Sequence, residues 1–223
     1  MKTNCSSSLL QFIFGLALLL GLAKPDPIPL QDYCVADNRS SQSLFINGVP
    51  CIDPNQATPS HFATSALSKP GNTSANVFGS NTTMANTVNL PGLNTMGMTI
   101  SRIDIAENGI VALHAHPRAS EVTTCLKGEL IVGFVDTSYR LYSQKLRPGD
   151  SSVFPKGLIH FLFNTDQKIP ALAMSGFNSQ NPGVQITSIA TFTTIPDIPD
   201  EILKKAYQIN SQDVARIRRN LGG

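Results

Sequence analysis

Residues 108–128 read NGIVALHAHPRASEVTTCLKG, and the rest of the fold is worked outward from this stretch. His114 and His116 are two apart, a spacing that puts both imidazoles on the same face of a strand, where they can converge on one ion. Glu121 lies five residues beyond His116, an offset that would place it on the opposite face of an uninterrupted strand. Pro117 removes the conflict, because proline breaks a β ladder and lets Glu121 start the next strand with its carboxylate turned back toward the imidazoles. A bare His-x-His is a weak signal, since a lone strand histidine is more often a hydrogen-bonded core residue than a ligand.

A second stretch strengthens it. Residues 149–164 read GDSSVFPKGLIHFLFN, and His160 follows the turn expected at Pro155-Lys156-Gly157. With it the candidate metal site becomes His114, His116, Glu121 and His160. Three neutral imidazoles and a carboxylate form a mixed nitrogen and oxygen shell suited to Mn, Fe, Co, Ni, Cu or Zn, among which ligand type alone does not choose. On an ion that prefers six donors, four protein ligands leave two positions for water or a substrate.

Around these stretches, short β-type segments alternate with turn signals. They are expected at 97–105, 120–126, 129–135, 140–146, 159–163, 171–177 and 185–192. Spacing of this kind predicts an all-β chain folded as an antiparallel sandwich or barrel. The turn Arg147-Pro148-Gly149-Asp150 supplies the proline and glycine of one tight reversal.

Upstream, residues 24–95 are rich in Ser, Thr, Asn, Gly and Pro and predict an extended N-terminal arm pinned by Leu44, Phe45, Ile46, Phe62 and Phe78. The first 23 residues have the layout of a secretory signal: Lys2, an apolar run from Leu9 to Leu20, and small residues at Gly21 and Ala23. Cleavage there leaves residues 24–223 as one domain, with its barrel core at 96–195 and a helical tail at 196–223. The run is too short to span a bilayer comfortably.

Four cysteines divide accordingly. Cys5 leaves with the signal, Cys34 and Cys51 are expected to pair in a secreted chain, and Cys125 is expected to be a buried, inert thiol. Asn38, Asn72 and Asn81 head N-x-Ser/Thr triplets and are candidates for N-glycosylation. The whole chain has 17 basic and 15 acidic residues. This near balance, without charge blocks, gives nothing that steers the chain toward nucleic acid or an anionic membrane.

The last residues switch to a helical period. One helix is expected over 200–209 and a second capped by Ser211, with Val214, Ile217 and Leu221 on its apolar face. Lys204, Lys205, Arg216, Arg218 and Arg219 are expected on a solvated face.

Both halves of the metal pattern also match the cupin motifs. Gly149, Pro155, Gly157, His160 and Asn164 hold every fixed position of the second, and Glu121 with Gly128 ends the first. Together with Leu30-Gln31-Asp32-Tyr33-Cys34, Pro91-Gly92-Leu93-Asn94-Thr95 and Phe177-Asn178-Ser179-Gln180-Asn181-Pro182-Gly183, the chain resembles the germin-like proteins of the cupin superfamily. The resemblance implies a jelly-roll barrel of the plant extracellular matrix, assembled as a hexamer built from dimers. It implies manganese held by His114, His116, Glu121 and His160, and it implies the Cys34–Cys51 bridge.

Two positions depart from the pattern. The first motif begins with glycine where this chain has Asn108, and asparagine tolerates positive φ better than most residues. Germins that oxidise oxalate carry asparagines three and thirteen residues before the first metal histidine, where this chain has Val111 and Ser101. Valine makes no hydrogen bond to a carboxylate, so oxalate oxidase activity is not expected. The resemblance leaves a manganese superoxide dismutase or a non-enzymatic matrix protein as the two expected functions.

Overall fold

The computed structural model describes residues 34–38 and 48–222. The signal segment, the first part of the arm and all of Leu44, Phe45 and Ile46 lie outside the described residues. Among the described residues, ten strands form two antiparallel sheets: β1 (Ser80–Ala85), β2 (Thr99–Ile105), β3 (Ile110–Ala115), β4 (Glu121–Lys127), β5 (Leu130–Val135), β6 (Leu141–Leu146), β7 (Ser151–Phe154), β8 (His160–Phe163), β9 (Ala171–Phe177) and β10 (Gln185–Ile186). One sheet runs β1-β2-β9-β4-β7 and the other β10-β3-β8-β5-β6. The expected all-β jelly roll of the cupin type is the fold observed.

Period-two alternation explains why the sheets close on each other. β9 buries Ala171, Ala173, Ser175 and Phe177, and β4 buries Glu121, Thr123 and Cys125. These alternate residues face the interior, and the residues between them face outward. Ile103, Ile105, Cys125, Leu130, Val132, Leu146, Phe154, Leu162, Ala171 and Ala173 form the apolar end of the barrel. The Cys125 thiol is fully buried, near the Lys127 and Gly128 carbonyls, and burial pushes its pKa up, as expected of an inert cysteine.

β3 departs from simple alternation. Val111 pairs with Leu162 and His114 with His160, so three steps on β3 oppose two on β8. This β-bulge lets Val111 pack on the core while Leu113 turns out to solvent and His114 turns in. Bulges commonly re-aim a side chain beside a functional site. At the turn before β3, Asn108 adopts φ 53°, the left-handed conformation expected there.

Three expectations are corrected. The segment 185–192 is a two-residue strand followed by the short helix α1 (Ile189–Phe192), the last bond to β3 running from the Thr187 N–H to the Leu113 carbonyl. The arm contributes β1, which pairs along its whole length with β2. Its sequence, Ser-Asn-Thr-Thr-Met-Ala, has no apolar alternation because an edge strand leaves much of itself in water. β7 was also hidden, its Ser-Ser-Val-Phe too short and polar to signal a strand.

The arm is anchored beyond the Cys34–Cys51 disulfide, which forms as expected. The buried Asn94 amide donates to the Val49 carbonyl and accepts from the Val49 N–H, at 2.7 and 3.1 Å.

The C-terminal helices α2 (Asp200–Tyr207) and α3 (Ser211–Leu221) pack with α1 into a second small core of Phe192, Leu203 and Val214. Ile198, Ile209, Ile217 and Leu221 border it, so the apolar stripe is covered within the chain. Asn210, not Ser211, caps α3, in a reciprocal capping box with Asp213. Arg218 also departs from the expected solvated face. Its guanidinium donates to the Phe192 and Ile198 carbonyls and pairs with Asp200 at 2.6 Å, tying the three helices together. No helix among the described residues is long and apolar enough to cross a membrane.

Candidate metal centre

The four residues singled out by spacing come together. His114 is on β3, His116 just beyond it, His160 opens β8, and Glu121 opens β4 in the facing sheet. Pro117 ends β3, and the strand resumes four residues later in the other sheet, as the proline break requires. All four side chains are buried, and their candidate donor atoms lie within 4.8 Å of one another. One Glu121 oxygen, Oε2, stands 2.9 Å from His116 Nε2 and 3.1 Å from His160 Nε2.

Backbone carbonyls decide which imidazole nitrogens face inward. The Nδ1 atoms of His114, His116 and His160 lie 2.8, 2.5 and 2.9 Å from the carbonyls of Ala112, Gly183 and Leu158. A carbonyl only accepts, so each Nδ1 carries the proton and donates. In the neutral ring Nε2 is then an unprotonated lone pair, the form a metal requires. Sequence spacing gave the histidines but not this orientation, which for His116 depends on a glycine far along the chain.

Local structure explains how Gly183 arrives there. Arg118 donates through Nε to the Asn181 carbonyl at 2.7 Å and through Nη2 to Asn181 Oδ1 at 2.8 Å, while its N–H bonds the Pro182 carbonyl. Gly183 has φ 66°, a left-handed conformation that favours glycine, and a Cβ there would lie 2.7 Å from the Arg118 guanidinium and push it aside. The second motif is tied to the first by the Gly157 N–H, which donates to the His116 carbonyl, and the Lys156 N–H, which donates to Ser120 Oγ.

Aromatic walls dry the site. Phe154 stacks on His160 at a centroid distance of 4.5 Å, and Phe177 meets His116 edge-on at 4.9 Å. Burial lowers the His114 pKa to about 4, helped by the neighbouring His160. Burial also opposes the charge on Glu121, but bonds from His116 and His160 outweigh it and hold the carboxyl well below its usual range. His116 is pushed the other way: burial lowers its pKa, but Glu121 and the Gly183 carbonyl raise it further.

The cluster passes a simple geometric test for a metal. With metal–donor bonds of about 2.1 Å, adjacent donors lie about 3 Å apart and opposite donors about 4.2 Å apart. The 2.9 and 3.1 Å separations match adjacent donors, and the 4.8 Å bound on the whole set is slightly wider than an opposite pair, so the donors would draw in on an ion. Its ligands come from both sheets, so an ion here cross-links them.

The remaining candidate positions are more scattered. Asn38 and Asn72 are exposed and Asn81 half-buried on β1. The Asn38 amide donates to the Thr87 and Val88 carbonyls, whereas among the described residues Asn72 engages only its oxygen, accepting from Ser74. Val111 packs against the apolar core, and Ser101 is buried in the barrel. Thr123 and Ser175, which support Glu121, were missed; their signal was Thr123 two residues after Glu121 on the same strand face.

Comparison with known proteins agrees with this architecture. Residues 65–215 match the cupin family. A germin-like protein subfamily 1 member 1 from Arabidopsis thaliana is 56% identical over 216 residues, covering 96% of this chain and all of that protein. Germin-like protein 3-1 from Oryza sativa subsp. japonica is 48% identical, covering 96% of each. A recombinant oxalate oxidase solved in complex with glycolate superposes with a TM-score of 0.83 at 37% identity, over 89% of this chain and 98% of that one. With its paired cupin motifs meeting in one buried donor cluster, the chain belongs to the germin-like proteins of the cupin family.

Proposed function

We propose that this chain is a secreted manganese protein of the plant apoplast that dismutates superoxide and releases hydrogen peroxide for defence or wall cross-linking. The observation that carries this reading is the inward set of three Nε2 atoms and one carboxylate oxygen, with every tautomer fixed from behind. His114, His116, Glu121 and His160 would hold the manganese, which supplies one-electron chemistry by cycling between two oxidation states. The chain's part is to orient the donors, keep Glu121 ionised, and exclude bulk water with Phe154 and Phe177.

Oxalate oxidation is not proposed, although a similar solved structure is an oxalate oxidase. A site that must hold a carboxylate substrate needs a placed donor, and losing one lowers discrimination by orders of magnitude. Val111 offers only methyl groups and packs on the core. Superoxide needs an open metal position and no such donor.

Secretion is supported by the Cys34–Cys51 disulfide and by the signal layout of the first 23 residues. Among the three sequons, Asn72 is the one we assign to a glycan, because it is exposed and its amide nitrogen makes no hydrogen bond among the described residues. A hexamer built as a trimer of dimers, the family assembly, and association with the wall complete the proposal.

The test is metal analysis of the secreted protein with parallel superoxide and oxalate assays on one sample. Superoxide turnover that disappears in His116→Ala is the expected result. A fully manganese-loaded protein silent toward superoxide would reject it. A second reading has its own observation: ligands from both sheets make the ion a cross-link, as a structural metal in a matrix protein would be. Unfolding on metal removal with no redox activity would favour that reading.

A further inference from the structure

Three buried hydroxyls form a row across the inner face of one sheet. Ser101 on β2 stands opposite Ser175 on β9, and Ser175 stands opposite Thr123 on β4. All three are fully buried, although the next inward row is Ile103, Ala173 and Cys125. Hydroxyls in a barrel interior are unfavourable unless they are hydrogen-bonded. The row therefore calls for a role.

Its hydrogen bonds have one direction. Thr123 Oγ1 lies 2.7 Å from Glu121 Oε1 and 2.7 Å from Ser175 Oγ. An ionised carboxylate only accepts, so Thr123 gives its proton to Oε1. The Thr123 oxygen is then free to accept, and the Ser175 proton goes to it. The hydroxyl at the end of the row, Ser101, has no hydrogen-bond partner among the described residues.

The carboxylate is thus divided between two tasks. Oε2 faces His116 and His160, while Oε1 is held from behind by Thr123. We propose that Thr123, oriented by Ser175, is a positioning residue that holds Glu121 as a one-oxygen metal ligand through Oε2. The inference rests on the metal-binding reading of the site. Without the Thr123 bond, Glu121 would be free to rotate and offer both oxygens, changing coordination number and the space left open on the ion.

The test compares wild type with Thr123→Val, Thr123→Ser, Ser175→Ala and Ser101→Ala, using Mn(II) as the probe. Its readouts are the manganese dissociation constant by chelator competition and the electron paramagnetic resonance spectrum. Removing a group that orients a ligand typically weakens metal binding by about 10–100-fold, the loss expected for Thr123→Val together with an altered zero-field splitting. Thr123→Ser restores both readouts, Ser175→Ala shows a smaller loss, and Ser101→Ala, whose hydroxyl has no partner, changes neither. Wild-type affinity and spectrum in Thr123→Val would overturn the proposal, as would an equal loss in Ser101→Ala, which would point to packing. If Thr123→Val does not fold, Ser175→Ala decides, and wild-type behaviour there overturns the proposal. A wild-type protein that binds no Mn(II) would instead sink the metal reading itself, and this inference with it.

Discussion

Asn164 ends the second cupin motif, yet its contacts assign it to the fold and not to the metal. Its side chain is fully buried; Nδ2 donates to the Ala106 and Ile169 carbonyls at 2.9 and 2.8 Å, and Oδ1 accepts from the Asp166 N–H at 3.1 Å. It thereby pins the β2–β3 turn to the β8–β9 loop. Asn164→Leu keeps the volume and removes all three bonds. The Ala106 carbonyl keeps a partner in the Gly109 N–H, so the loss falls on Ile169 and Asp166. Each buried group left unpaired costs about 1–3 kcal/mol, and water at this partly exposed loop brings the sum to about 2–4 kcal/mol. For a chain of this size that lowers the melting midpoint by about 5–15 °C. Scanning calorimetry on manganese-saturated protein measures it, with affinity measured in parallel. His160 is at the other end of β8, about 13 Å away, so manganese affinity should be unchanged. A midpoint within about 2 °C of wild type would refute the hydrogen-bond assignment, and a large loss of affinity would refute the division of the motif into fold and metal parts.

Further outcomes follow from the same contacts. Chelation of the metal should lower the midpoint, since an ion at one hundred times its dissociation constant adds about 2.7 kcal/mol of stability; equal midpoints with and without chelator would contradict a cross-linking ion. In the metal-free protein, His114 has its pKa lowered from 6.5 to about 4, so its share of stability is full above about 6.5 and is lost as pH falls through about 4. That share is about 3 kcal/mol, and metal-free His114→Gln should therefore lose less stability than wild type in urea titrations between those pH values. His116 acts in the opposite sense, which is why the comparison is made against the variant. Arg218→Met, which removes the ties to Phe192, Ile198 and Asp200, should speed hydrogen exchange in the C-terminal helices while leaving manganese affinity unchanged; unchanged exchange would show that apolar packing alone holds them.

Much of this was legible because the relevant rules are local. Strand parity put His114 and His116 on one face, and Pro117 freed Glu121 to open β4, where it is found. A short apolar run at 171–177, bounded by turn residues, marked β9 to the residue. β1 and β7 escaped notice because an edge strand can be polar and short, its ladder supplied by a partner remote in sequence. Arg218 was misread for a related reason. Helical spacing gives its face but not the carbonyls and carboxylate that α1 and α2 bring to meet it.

By itself the sequence determined which four side chains could hold an ion, where the chain reverses, and that Val111 offers no donor to a carboxylate. Tertiary structure decided how those side chains point. The bulge in β3 turns His114 inward where unbroken alternation from Val111 would have chosen Leu113, and it exists only in the pairing with β8. Gly183 fixes the His116 tautomer from a loop that Arg118 holds in place, and Ser175 orients Thr123 from the neighbouring strand. Spacing along a chain fixes which residues share a face. Which face meets the interior, and which nitrogen carries the proton, depend on hydrogen-bond partners that only folding brings within reach.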